Sequence, residues 1–270
     1  MGHPRAEHPF FSAGRPLLFG HRGASGELPE NTLPAFERAL LQGAMAIETD
    51  VRLTRDGEVV VFHDEDLDRT TDGRGPLALR TLAELQQLDA GYRFSPDGGR
   101  SFPHRGSGFR IPTLREVFQA LPNAFFNIEI KADAARLIEA TLDLIGERTE
   151  RTLLAAAEDA TMRHLREALA RRGLRPAVGA SVADVLAFVR AALGEGSVPE
   201  EPMALQIPPD FAGEPLVTPR LLDFAHQHGV AVHVWTINDP GEMRRLLALG
   251  VDGLMSDFPA LLVRVARDAR

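Results

Sequence analysis

The chain has 270 residues, 44% of them apolar, a net charge of -8 and no cysteine. That length suffices for one large α/β barrel or two modest domains with a sizeable core. The acidic balance argues against general nucleic-acid affinity, which relies on a surplus of Lys and Arg. Without thiols there is no disulfide, and any metal must be held by oxygen or imidazole, which favours a hard cation such as Mg²⁺ or Ca²⁺.

The opening, MGHPRAEHPFFSAGRPLLFG, has no basic segment followed by an apolar core and a small-residue cleavage site. No signal peptide is expected from it, and Ala6 stands where a myristoylation motif wants Ser or Thr. No window approaches the roughly 20 apolar residues that cross a bilayer, so a soluble, cytoplasmic protein is expected.

After a polar leader, Pro16 to Gly20 reads as a short buried strand ending at His21. Pro29 to Leu41 carries a helix signal, with Asn31 or Thr32 as cap, Pro34 in the first turn, and Leu33, Phe36, Leu40 and Leu41 as an apolar stripe. Gly43 ends it. In the strand Ala46 to Leu53, alternation puts Glu48 and Asp50 on one side. A turn at Asp56-Gly57 leads into the strand Glu58 to Phe62, which delivers His63.

Residues 65–112 are rich in Gly, Pro and charge, with one short helix signal at Leu79 to Leu88. A stretch of this kind is expected to be an excursion over one face with a functional role. A helix at Thr113 to Ala120 follows, then FFNIEIK, in which Asn127, Glu129 and Lys131 share one face of a strand. The rest alternates: helix Ala134 to Gly146, strand Thr152 to Ala156, helix Asp159 to Arg172, strand Pro176 to Gly179, helix Val182 to Leu193. Strand Ala204 to Ile207, helix Thr218 to His228, strand Ala231 to Thr236, helix Pro240 to Leu249, strand Gly253 to Met255 and a terminal helix complete it.

Eight strands interleaved with helices predict a (β/α)₈ TIM barrel with an insertion after the second barrel strand, as one domain over 1–270, and an active site at the strands' C-terminal ends. An open doubly wound sheet is the competing architecture, but no G-x-G-x-x-G links the first strand to its helix.

In a barrel, His21, Glu48 with Asp50, and Glu129 with Lys131 fall at the ends of strands one, two and three. Neighbouring strands lie roughly 4.8 Å apart, so the three carboxylates are placed to converge on one ion. A single acid is as easily a solvated surface charge. Three acids alternating along apolar strands are not, because unpaired acids are costly there. A lone histidine is more often a surface or hydrogen-bonded core residue than a catalyst, yet His21 and His63 beside a metal could divide acid and base work. His104, His164, His226 and His228 lie in loop-like or helical contexts and carry no such role. Asp64 has two readings, orienting a histidine or capping the turn. Arg22 and Lys131 are natural phosphate ligands, or alternatively salt-bridge partners of the acids. Trp235 is either core or an indole face for an alcohol or choline group.

These pieces, HRG at His21 to Gly23, PENTLPAF, the E-x-D of Glu48 and Asp50, VVFHDEDLDRTTDGRG, NIEIK, VWTIND and GVDGLMSDFP, together resemble the glycerophosphodiester phosphodiesterase family over most of the chain. The resemblance implies a TIM barrel that hydrolyses glycerophosphodiesters to sn-glycerol 3-phosphate and an alcohol, with Ca²⁺ or Mg²⁺. It implies Glu48, Asp50 and Glu129 as metal ligands, His21 and His63 as the acid/base pair, Arg22 and Lys131 on the phosphoryl oxygens, and Trp235 in the substrate pocket. Similarity to phosphoinositide-type phospholipases implies attack by the glycerol 2-hydroxyl through a cyclic phosphate, with His21 favoured as base and His63 as acid. A lysophospholipase D-like activity on lipid diesters is the alternative, disfavoured by the lack of an amphipathic docking segment. Thr49, where the family often has an apolar residue, points away from the acids by alternation. The loops of 65–112 are expected to roof the pocket and set alcohol preference. Neither oligomeric state nor the preferred alcohol follows from these residues.

Overall fold

A computed structural model describes residues 8–131 and 135–269. The residues around Met1, Gly2 and Ala6 and the expected helix start at Ala134 lie outside that range.

The strand and helix signals resolve into an alternating series. Strand β1 (Leu17–His21) is followed by α1 (Leu33–Leu41), β2 (Ala46–Leu53) and the short β3 (Val59–Val61), then α2 (Leu82–Leu85), α3 (Leu114–Ala120), β4 (Phe125–Ile130) and α4 (Ala135–Ile145). Next come β5 (Thr152–Ala155), α5 (Asp159–Arg172), β6 (Ala177–Val178), α6 (Val182–Ala192), β7 (Ala204–Ile207) and a small hairpin of β8 (Asp210–Phe211) and β9 (Glu214–Pro215). The chain closes with α7 (Pro219–Gln227), β10 (Ala231–Val234), α8 (Pro240–Leu249), β11 (Gly253–Ser256) and α9 (Pro259–Asp268).

The parallel strands run β6-β5-β4-β2-β1-β11-β10-β7. The two ends meet where Met203 N donates to Val178 O (2.8 Å) and Ala180 N to Ala204 O (3.0 Å). This is the eight-stranded TIM barrel that the alternation predicts. Strand β3 pairs antiparallel with β2, outside the barrel order.

Period-two alternation sorts the side chains. Ile47, Val51, Phe126 and Ile128 face outward into one helix-packed core, and Leu18, Leu205, Val232 and Leu254 into another. Leu17, Phe19, Ala46, Leu153, Ala177, Ala204 and Met255 fill the barrel interior.

Three expectations need correction. The leader is not merely polar: Pro9–Ala13 forms a 3-10 turn whose Phe10 and Phe11 are buried in the interior cluster. The phenylalanine pair leaves water by covering the apolar floor at the strands' N-terminal ends. Leu41 is 85% exposed, because it lies about 100° around the helix from Leu40 and off the stripe. The excursion's helix is only one turn, Leu82–Leu85, preceded by a 3-10 turn Leu77–Leu79. The excursion has its own core, in which Leu67, Leu77, Leu85, Ala90 and Ile111 pack on Val60 and Phe62.

Candidate active site

Barrel register aligns the polar residues. His21 is opposite Glu48, Glu48 opposite Asn127, and Asp50 opposite Glu129. Each points inward because the residues beside it in sequence point out. A cavity of about 300 Å³ opens at this C-terminal end, lined on one side by His21, Arg22, Glu48, Asp50, His63, Asn127, Glu129 and Lys131. Its other side is small and mostly apolar: Ala155, Ala156, Ala157 and Ala180, with Met255, Trp235 and Gln206. All eight candidate residues therefore meet in one cavity.

One carboxylate oxygen from each of Glu48, Asp50 and Glu129 lies within 4.8 Å of the others. Lys131 Nζ lies 2.8 Å from Glu129 Oε2 and 3.1 Å from Asp50 Oδ1, while Arg22 Nε is 3.4 Å from Asp50 Oδ2. Burial opposes ionisation of Asp50, but Lys131 and Arg22 outweigh it and hold the carboxyl below its usual value. Among the described residues Glu48 has no such lysine partner. Burial, and then Asp50 beside it, push its carboxyl up to about 7. An all-oxygen set with uncompensated negative charge suits a hard divalent cation, which would relieve both causes.

The two histidines are each oriented by an aspartate. His21 Nδ1 donates to Asp257 Oδ1 at 2.7 Å, which leaves Nε2 on the cavity side, 3.8 Å from Glu48 Oε2. Burial lowers the His21 pKa, but the Asp257 bond and Glu48 more than reverse it. Asp257 is itself held by Asn238 Nδ2 (2.6 Å) and Ser25 Oγ (2.8 Å). His63 Nδ1 donates to Asp64 Oδ1 at 2.6 Å, so Asp64 orients a histidine. Burial dominates at His63 and lowers its pKa.

Several members of the site escape single-sequence reading. Asn31, a cap candidate, instead sits at φ 56° and donates from Nδ2 to Asp50 Oδ2 at 2.9 Å. Thr49 does point away from the acids, yet its hydroxyl donates to Asn31 Oδ1 at 2.8 Å and so braces Asp50 through Asn31. Thr32 precedes α1 without capping it, its hydroxyl donating to Pro29 O. Glu30 accepts from Arg22 Nη1 at 2.9 Å. Asp257 lies 236 residues from His21. The usable signal was its place just after the last barrel strand. Among the described residues, Asn127 Oδ1 and Gln206 Nε2 are buried without a hydrogen-bond partner, and both residues line the cavity.

The excursion does not roof the cavity: among the described residues, none of 65–112 lines it. Arg69, Thr70, Ala90 and Ile111 instead pack behind His63 around a small side pocket. The excursion's apolar residues are spent on its own core, which holds it beside the mouth.

Comparison with known proteins gives the family. The profile of the glycerophosphoryl diester phosphodiesterase family matches residues 21–261. A glycerophosphodiester phosphodiesterase of Caldanaerobacter subterraneus subsp. tengcongensis is 34% identical over 93% of this chain and 98% of its own. The human lysophospholipase D GDPD1 is 29% identical over 90% of this chain and 83% of its own. An Oleispira antarctica phosphodiesterase solved with the product sn-glycerol-3-phosphate superposes with a TM-score of 0.74 at 27% identity, covering 95% of this chain and 99% of that one. With the profile spanning the barrel from the first site histidine to the last helix, the chain belongs to the glycerophosphoryl diester phosphodiesterase family.

Proposed function

We propose that this enzyme hydrolyses glycerophosphodiesters to sn-glycerol 3-phosphate and an alcohol, using a divalent cation of the Ca²⁺ or Mg²⁺ class. The carrying observation is the cluster of buried Glu48 and Asp50 with half-buried Glu129, sharing one cavity with two aspartate-oriented histidines. Residues 1–270 act as one barrel unit, with residues 65–112 as its insertion.

Glu48, Asp50 and Glu129 would hold the cation, which when bound supplies Lewis-acid stabilisation of the phosphoryl charge. Arg22 and Lys131 hold phosphoryl oxygens, the first as a fork and the second as a point charge. His21 Nε2 takes the proton of the glycerol 2-hydroxyl as its oxygen bonds to phosphorus, and His63 protonates the departing alcohol oxygen as the P–O bond breaks. In the second step His63 takes a proton from water attacking the cyclic phosphate, and His21 returns its proton to the 2-oxygen. The assignment follows depth. His21 is the more enclosed, at 17% side-chain exposure against 30% for His63, and the alcohol must leave toward solvent.

A p-nitrophenyl leaving group needs no proton. With glycerol 3-(p-nitrophenyl phosphate), His63→Ala should keep p-nitrophenol release within about tenfold of wild type and accumulate cyclic phosphate, while His21→Ala should lose on the order of 10³-fold. Equal losses in the two variants would overturn the assignment.

Substrate preference belongs to the small side of the cavity. The unpartnered Gln206 Nε2 is available to a substrate hydroxyl among the alanines, and Trp235 stands at the rim, 41% exposed. One observation favours a lipid diester as a second reading: Val182, Leu186, Phe211 and Trp235 are all exposed on segments that follow β6, β7 and β10, at the same end of the barrel. Turnover of lysophosphatidylcholine without turnover of glycerophosphocholine would establish it.

A further inference from the structure

The first helical turn of the excursion holds an arginine that touches neither the cavity nor the acid cluster, yet meets the supports of both sides of the phosphate site. Arg69 ends the 3-10 turn Leu67–Arg69, anchored by the buried Leu67, whose N donates to Gly75 O at 3.0 Å. Its Nε donates to Asp64 Oδ2 at 2.5 Å and its Nη2 to Asp64 Oδ1 at 3.1 Å. The same guanidinium gives Nη1 to Glu30 Oε2 and Nη2 to Glu30 Oε1, both at 2.7 Å.

Asp64 Oδ1 accepts from His63 Nδ1, and Glu30 Oε1 accepts from Arg22 Nη1. One planar group thus fixes two carboxylates, each of which fixes a different residue facing the cavity. Resting on the functional reading above, we propose that Arg69 is a positioning residue that couples His63 to Arg22. The excursion therefore serves the chemistry as a template held behind the mouth.

The geometry explains why arginine stands here. Two bidentate contacts need coplanar donors on both edges, which a guanidinium has and an ammonium lacks. Exposed ion pairs usually contribute little, and the Arg69 side chain is 48% exposed. Doubly bidentate geometry is the exception, and here the effect is on orientation. Among the described residues neither His63 nor Arg22 has another side-chain partner that does the same work: Arg52 Nε reaches only the His63 carbonyl, and Arg22 Nε is not aligned for a hydrogen bond with Asp50.

The split between kinetic constants tests this. Asp64→Asn should lower kcat about tenfold with little change in KM, because it loosens the proton donor, and Glu30→Gln should raise KM about fivefold, because it loosens the phosphate fork. Arg69→Ala should do both. The doubles Arg69→Ala/Asp64→Asn and Arg69→Ala/Glu30→Gln should be barely worse than Arg69→Ala alone. Arg69→Lys should recover at most one of the two constants. The His63 imidazole Nδ1–H, followed by ¹⁵N NMR on the cation-bound protein, should lose its strong hydrogen-bond signature in Arg69→Ala.

Unchanged kcat and KM with only a lower Tm, additive doubles, or an unaltered His63 signal would each overturn the proposal. Should Arg69→Ala not fold, Arg69→Lys carries the same comparison. Wild-type protein inactive on every glycerophosphodiester would instead defeat the functional reading, while the His63 signal would still decide the role of Arg69.

Discussion

The two halves of the barrel mouth solve opposite problems. On β1, β2 and β4 the inward positions carry His21, Glu48, Asp50 and Glu129, and each charge is compensated or strained: Asp50 by Lys131 and Arg22, Glu129 by Lys131, Glu48 by little. On β5, β6, β7 and β10 the inward residues are Leu153, Ala155, Ala177, Ala204 and Ala231, with Gln206 and His233 as the polar ones, and among the described residues neither Gln206 Nε2 nor either His233 ring nitrogen has a hydrogen-bond partner. Buried charges cannot be removed singly without leaving another unpaired, whereas small apolar residues fix only shape. On the proposed mechanism the cation ligands and His21 sit on three contiguous strands, with His63 brought in after β3, and the opposite half would be free to vary the space offered to a substrate.

The most damaging changes to the charged half remove a carboxylate of the acid cluster. Glu48→Gln or Glu129→Gln should lower kcat/KM by about 10³-fold or more and abolish the rise in Tm expected of wild type on adding Ca²⁺ or Mg²⁺. A full cation-dependent Tm shift in either variant would move the metal elsewhere. Lys131→Met should cost about 10²-fold in activity and several degrees in Tm, since it strands Asp50 and Glu129. Added cation should restore part of that stability by supplying the lost positive charge, and calorimetry checks it.

Changes in the small half should be milder. Gln206→Leu should leave the cation-induced Tm shift intact but reduce, about tenfold, the discrimination between a glycerol ester and its 2-hydroxypropyl analogue. An unaltered ratio would mean that Gln206 meets no substrate hydroxyl.

The mildest effect concerns stability alone. Burial, only partly offset by Asp252, lowers the His233 pKa to about 4, below its ordinary 6.5. Between those values the unfolded chain binds the proton and the folded chain does not, so stability falls as pH drops from 6.5 toward 4, by about 3 kcal/mol in all. His233→Leu should flatten that part of the pH–stability curve relative to wild type, measured by urea unfolding.

Much of this contrast is readable along the chain. The eight barrel strands stand where alternation and apolar runs put them, because strand periodicity is local information. Glu48, Asp50, Glu129 and Lys131 were visible for the same reason: charges interrupting an apolar alternation must face something polar. What was hidden depends on closure. Asp257 reaches His21 only because the last strand lies beside the first. Phe10 and Phe11 look like a leader until the barrel has a floor to cover. Asn31 resembles a cap because its partner, Asp50, is on another element. The excursion's composition signals turns, and nothing local says whether they cover the cavity or stand behind His63.

The account stands most directly on one measurement. Wild-type protein incubated with glycerophosphocholine and Ca²⁺ or Mg²⁺ should give sn-glycerol 3-phosphate by ³¹P NMR and free choline by ¹H NMR, and a chelator should stop the reaction until cation is returned. Conversion that a chelator leaves untouched, or phosphocholine and glycerol as the products, would contradict it.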